Sequence, residues 1–111
     1  MEIDRELLKG SINLLILTLL STGPMYGYEI ILEAERRSDN AFRFKEGTLY
    51  PALHHLERGG FLKSEWRIGP NGRRRRYYAL TRKGLSLAEQ RGRDWTVFTK
   101  AVNAVLTGRL S

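Results

Sequence analysis

This sequence predicts a mainly α fold of the α+β class, with three short helices, a basic two-stranded hairpin and one long terminal helix. Three observations carry that expectation. Apolar residues recur at three- and four-residue steps in four separate segments. Between the third and fourth segments, two runs alternate at period two around Gly69-Pro70-Asn71-Gly72, the pattern of a strand, a tight turn and a returning strand. Length is the third observation: 111 residues allow one compact domain with at most one extra helix.

The first segment, residues 5–21, reads as a helix. Leu7 and Leu8 lead into Ile12, Leu15, Ile16, Leu19 and Leu20 at helical spacing, and Leu14 and Leu17 broaden the apolar face. A helix apolar on most sides needs covering on most sides, and each leucine fully buried is worth about 1.5–3 kcal/mol. Leu15 and Leu19 are therefore assigned to a contact with a second copy of the chain. The run INLLILTLL within this segment is too short for the roughly 20 apolar residues that a bilayer core requires. The mixed charges before it argue against a secretory signal. No membrane segment is expected, and a cytoplasmic location is.

Gly23 and Pro24 break the chain. Tyr26-Gly27-Tyr28-Glu29 opens a second helix to about residue 37, with Tyr28, Ile31 and Leu32 expected to face inward. Glu29, Glu33 and Glu35 read as solvated partners for Arg36 and Arg37. Ser38-Asp39-Asn40 is a polar turn, and Ala41-Phe42-Arg43-Phe44 alternates as a very short strand would.

The third helix lies within EGTLYPALHHLERGGFL, residues 46–62. Leu49, Leu53 and Leu56 fall at i, i+4 and i+7 and make one face apolar. Thr48, Tyr50, His54, His55 and Arg58 lie off that stripe. Pro51 is tolerated only where its missing N–H would be unpaired, which places the start at about residue 47 or 48, with Thr48 able to cap. Gly59 and Gly60 end the helix. Its aromatic, imidazole and hydroxyl front suits a groove lined with donors, acceptors and thymine methyls. An ordinary amphipathic helix in a small core is the alternative.

In the hairpin, Leu62, Ser64, Trp66 and Ile68 share one face, and Phe61, Lys63, Glu65 and Arg67 share the other. The returning strand begins with Arg73, Arg74, Arg75 and Arg76, followed by Tyr77 and Tyr78. Residues 69–83 hold six basic and no acidic side chains. Charge this dense suits a strand lying along phosphates; a solvated edge strand kept soluble by charge is the competing reading.

Thr81 can cap the last helix, expected to run to about residue 109 and to be loosened by Gly84 and Gly92. Trp95, Phe98, Val102 and Val105 step by three and four along a heptad seam, so this helix has a face that wants a partner. The expected division is residues 1–80 as a winged helix-turn-helix and 81–111 as a C-terminal dimerisation helix.

Composition narrows the function. Lys+Arg 19 against Asp+Glu 12 gives a formal net charge of +7, with a pI near 10.1, which favours a polyanionic partner. Without cysteine, disulfides and thiolate metal sites are excluded. His54 and His55 are adjacent and do not share a helix face, so neither metal nor cofactor is expected. No nucleophile context appears and the carboxylates are scattered among arginines, so the chain does not read as an enzyme.

Four blocks then take on meaning together: Met25-Tyr26-Gly27-Tyr28-Glu29-Ile30, Glu46-Gly47-Thr48-Leu49-Tyr50-Pro51-Ala52-Leu53, Leu56-Glu57 with Gly60, and Arg76-Tyr77-Tyr78-Ala79-Leu80-Thr81 with Gly84. In this order they closely resemble the PadR family of bacterial transcriptional regulators, over residues 8–106. The length resembles its short subgroup with a single C-terminal helix. The resemblance implies a homodimer, held by the terminal helices, that represses transcription from a pseudo-palindromic operator in double-stranded DNA. It carries DNA contact onto Thr48, Tyr50, Pro51, His54 and the basic wing at Arg73, Arg74, Arg75 and Arg76, with a backbone contact for Tyr26. Charge and helical position add Lys45 and His55. Some short members stack a small planar aromatic ligand on an aromatic of the terminal helix. Trp95 holds the comparable place, with packing in a dimer core as its favoured alternative.

An RNA-binding winged helix of the translation machinery is the competing function. The major groove of A-form RNA is too narrow for a helix, so such a protein would depend on its wing and on exposed stacking aromatics.

Overall fold

The computed structural model describes residues 5–108, with side chains from residue 7 onward. Along the chain run α1 (Arg5–Leu20), β1 (Met25–Tyr26), α2 (Gly27–Arg37), α3 (Glu46–Arg58), β2 (Leu62–Ile68), β3 (Arg74–Leu80) and α4 (Arg82–Thr107). The strands form one antiparallel sheet in the order β1-β3-β2. Three helices with a hairpin wing make a winged helix-turn-helix, as the sequence predicts, and α4 extends from it. The expected helix end at residue 109 lies outside the described residues; Gly108 caps α4 in the left-handed conformation.

Burial explains why α1 is so apolar. It runs through the middle of the molecule and touches α2, α3, β3 and α4, so Ile12, Ile16, Leu17, Leu19 and Leu20 are all buried by this one chain. That corrects the expectation for Leu19. At 4% exposed, its side chain is spent on the chain's own core rather than left for a second copy. Leu15 is half-buried against the same core.

The N–H of Tyr26 donates to the Glu29 carboxylate at 3.1 Å, so Glu29 serves the start of α2, while Glu33 pairs with Arg36 and Arg37. The inward face of α2 also differs from expectation. Gly27, Ile30 and Ala34 are buried, whereas Tyr28 and Leu32 are exposed and Ile31 is partly covered. The phenol of Tyr50 presses on Gly27, where any Cβ would collide with it. Only the glycine side of α2 can approach α3 that closely, and Ile30 and Ala34 follow at i+3 and i+7.

No strand forms at residues 41–44, although Phe44 is buried and Phe42 packs on the core. The sheet's third strand is Met25–Tyr26, paired with Tyr78 and Tyr77. With β1 on one edge of β3 and β2 on the other, β3 has no edge left for those residues.

Lys45 rather than Thr48 precedes α3, without a side-chain cap. Thr48 lies in the first turn, where its N–H donates to the Lys45 carbonyl at 3.0 Å. Pro51 therefore sits inside the helix and leaves the Gly47 carbonyl without a helical donor. Gly60, at φ +81, turns the chain into β2, a conformation that favours glycine.

The root of α4 is clamped to this same turn. Thr81 Oγ1 donates to the Gly60 carbonyl at 2.7 Å and accepts from the Gly84 N–H at 3.0 Å. The Thr81 N–H donates to the Phe61 carbonyl at 3.1 Å, and Lys83 Nζ reaches the Gly59 carbonyl at 2.8 Å. Gly84, expected to loosen the helix, is instead buried against the Phe61 carbonyl, where a Cβ would not fit.

Candidate nucleic-acid interface

With Leu49, Leu53 and Leu56 turned into the core, helical geometry sends Thr48, Pro51, His54, His55 and Arg58 to the opposite side. All five are exposed, as is Lys45 just before them. Tyr50 does not join this row, because its ring is turned sideways onto Gly27 and packs on the core.

The pairing register of the wing divides its arginine run. Trp66 stands opposite Arg76, Arg67 opposite Arg75 and Ile68 opposite Arg74. Alternation then puts Arg74 and Arg76 on the Trp66 face, and Arg75 with Arg67 on the face that carries Tyr77 and, through β1, Tyr26. Each face supplies aromatic rings to its arginines. The guanidinium carbon of Arg74 lies 5.2 Å from the Trp66 ring centroid and that of Arg76 5.9 Å from it. On the other face, Arg75 lies 4.9 Å from the Tyr26 ring and Arg67 5.1 Å from Tyr77. Tyr26 and Tyr77 meet edge to face, with centroids 5.4 Å apart. These are attractive cation–π and aromatic geometries.

The arginines also differ in charge compensation. Among the described residues, salt bridges join Glu33 to Arg36 and Arg37, Glu65 to Arg67 and Glu57 to Arg76. Arg73, Arg74 and Arg75 belong to none of them. Arg76 is tied back to α3: its Nε donates to Ser64 Oγ at 2.9 Å, Ser64 Oγ donates to Glu57 at 2.5 Å, and the guanidinium lies 3.6 Å from Glu57. This clasp fixes the base of the wing against the end of α3. Beneath it, burial pushes the Tyr78 phenol above its ordinary ionisation range, with Arg76 pulling it back and Glu57 raising it further.

The sequence alone groups the four arginines as one set. The register separates them, and the Glu57 partner leaves Arg76 with the weakest claim to an external anion. Trp66, Tyr77 and Arg67 join the site only through the structure. Their signal lies in the alternation of the two strands, since every cation–π pair of the wing is a direct or diagonal cross-strand neighbour.

Trp95, Phe98 and Val105 lie exposed on α4, and Val102 is half-buried. The Trp95 and Phe98 rings are 5.8 Å apart and tilted by 42°. Among the described residues, no helix is long and apolar enough to cross a membrane.

Comparison with known proteins agrees with this architecture. The chain is 38% identical over 88 residues to a transcriptional regulator of Mycobacterium tuberculosis, covering 78% of both proteins. A transcriptional regulator from Clostridium thermocellum superposes with a TM-score of 0.81 at 34% identity, covering 91% of this chain and 95% of that one. A PadR family regulator from Eggerthella lenta gives 0.77 at 32% identity, with 91% and 86% covered. The sequence model of the PadR-like transcriptional regulator family matches residues 16–90, the span from the middle of α1 into the first half of α4, and this chain belongs to that family.

Proposed function

We propose that this PadR-like regulator is a sequence-specific double-stranded DNA-binding protein that represses transcription as a homodimer on a pseudo-palindromic operator. The observation that carries the reading is the exposed row Thr48, Pro51, His54 and His55 on the same domain as three wing arginines, Arg73, Arg74 and Arg75, that take part in no described salt bridge. A helix front of hydroxyl, imidazole and apolar groups is fitted to base edges in the major groove, and guanidinium groups without carboxylates are fitted to phosphates. In this reading Lys45 and Tyr26 touch the DNA backbone. Tyr50 acts through its contact with Gly27, holding α3 on α2, and Arg76 acts mainly through the clasp. Residues 1–80 form the DNA-binding unit and 81–111 the dimerisation helix, with Trp95, Phe98, Val102 and Val105 on its seam and Leu15 beside it. The place of action is the cytoplasm.

Regulation by a flat aromatic effector at Trp95 is the finer part of the proposal, supported by the exposed, tilted Trp95–Phe98 pair. A ligand there would change DNA affinity only by binding two dimer states unequally. The test is Trp95 fluorescence in a Trp66→Phe background, titrated with planar aromatic cations; an unchanged signal removes this part alone.

The main test is binding to the DNA upstream of the chain's own gene and to a scrambled duplex of equal length, across a range of salt. A dimer that neutralises roughly eight phosphates gives a log–log salt slope of about −7 on both, with the specific duplex bound far more tightly. Equal affinity for both would count against an operator at that site. Preference for the same sequence as duplex RNA would favour the translation-machinery reading instead.

A further inference from the structure

Trp66 is 54% exposed, a large ring on a charged hairpin, and neither the core nor the outward row of α3 uses it. It lies between Arg76, directly opposite, and Arg74, on the diagonal. We infer, resting on the nucleic-acid reading above, that Trp66 is a positioning residue of the wing, holding the Arg74 guanidinium in the conformation that takes up a backbone phosphate.

A guanidinium is a flat cation: stacking occupies its face, whereas its N–H donors point outward from its edge. An arginine lying on an indole therefore keeps its hydrogen-bonding fork free for a phosphate. An unstacked arginine at a hairpin tip samples many rotamers and loses them on binding, a loss that prior ordering avoids. Arg74 has the ring and no carboxylate among the described salt bridges, so its charge stays available. Arg76 touches the same ring, but it is also held by Ser64 and Glu57. Trp66 thus links an anchored arginine to a free one, and the anchored one steadies the ring. Tyr26 stands in the same relation to Arg75 on the other face, so both faces of the wing repeat the arrangement.

Substitution at Trp66 changes no charge, which separates positioning from charge neutralisation. The expected result for Trp66→Leu is about three- to tenfold weaker binding to operator and scrambled duplex alike, with an unchanged salt slope. Trp66→Tyr, which keeps an aromatic face, is expected to stay within about twofold of the wild type. In the free protein, the Arg74 Nε–H proton resonance should carry a ring-current shift that Trp66→Leu removes. Equal or tighter binding by Trp66→Leu overturns the inference, as does an Arg74 resonance that does not respond. Should the wild type bind no duplex at all, the DNA reading fails. The same variants are then titrated with inorganic polyphosphate, where the same order of affinities supports positioning and equal affinities overturn it.

Discussion

The wing and the distal half of α4 both project from the same core, but the rings at the wing carry cations of their own chain while most large apolar side chains of distal α4 face solvent. On the wing, Trp66 and Tyr77 each sit under an arginine, as does Tyr26 on the neighbouring β1. On α4, Val97 is 71% exposed, Phe98 59% and Val105 83%, with Leu106 beside them at 76%. Cation–π contacts let a charged hairpin hold its shape while remaining open to an anion. An apolar helix face has no such device, and covering each large side chain is worth about 1.5–3 kcal/mol. On the proposed reading, the difference matches the wing to a polyanion and α4 to a second apolar surface.

Both protrusions share one root, and the largest effect is expected there. Gly84→Ala would push a methyl into the Phe61 carbonyl, which can relax only by moving α4 away from the wing. A loss of about 3 kcal/mol or more is expected in urea unfolding followed by circular dichroism. Unchanged stability would show that the root is soft.

Phe98→Asp sharpens the comparison from the α4 side. If a second copy covers that face, sedimentation equilibrium should show self-association weakened about a hundredfold, near 2.7 kcal/mol. The fold of the single chain should be retained. A mass unaffected by the substitution would move the dimer contact elsewhere.

From the wing side, Arg75→Ala should leave the mass unchanged and weaken binding to every duplex. It should also make the salt slope shallower by about 0.9 for each phosphate that is no longer neutralised. A change in sequence preference instead would assign Arg75 to base recognition.

The smallest effect concerns the Tyr78 phenol under the clasp. Burial raises its pKa above the ordinary 10.0, so the unfolded chain ionises first as pH climbs. Its contribution is therefore complete below pH 10.0 and is lost as pH rises through the folded value. Tyr78→Phe should decline less steeply than wild type in stability above that pH, and parallel curves would mean that the phenol ionises without cost.

Legibility in the sequence follows the range of the forces involved. The α3 span, the hairpin turn and the Thr81 cap are readable because leucine spacing, a glycine-rich turn and a hydroxyl before a helix are local signals. The strand at Met25–Tyr26 is not, since two residues carry no periodicity and their partners lie far along the chain. Residues 41–44 imitate a strand because an extended loop that buries Phe44 alternates in the same way. In α2 the helical period fits two stripes, and the buried one, Gly27, Ile30 and Ala34, is selected by distant elements, α1 and the Tyr50 phenol of α3. At the site, position along the helix is enough to find the exposed residues of α3, but no local pattern signals that Glu57 claims Arg76. That pairing depends on where the end of one element meets the middle of another.

The pairing of β1 with β3 also has a consequence in time. Met25 and Tyr26 are synthesised about fifty residues before Tyr78 and Tyr77, which at roughly 5–20 residues per second is a delay of a few seconds. During that interval the helices α1, α2 and α3 can begin to gather around their leucines, while the strand that will seat the wing has nothing to pair with. The sheet closes by joining distant parts of the chain, and closing so long a loop carries an entropy cost that grows only slowly with its length. A nascent chain stalled before Tyr77 would hold α3 and all four wing arginines but neither of the residues that pair with β1.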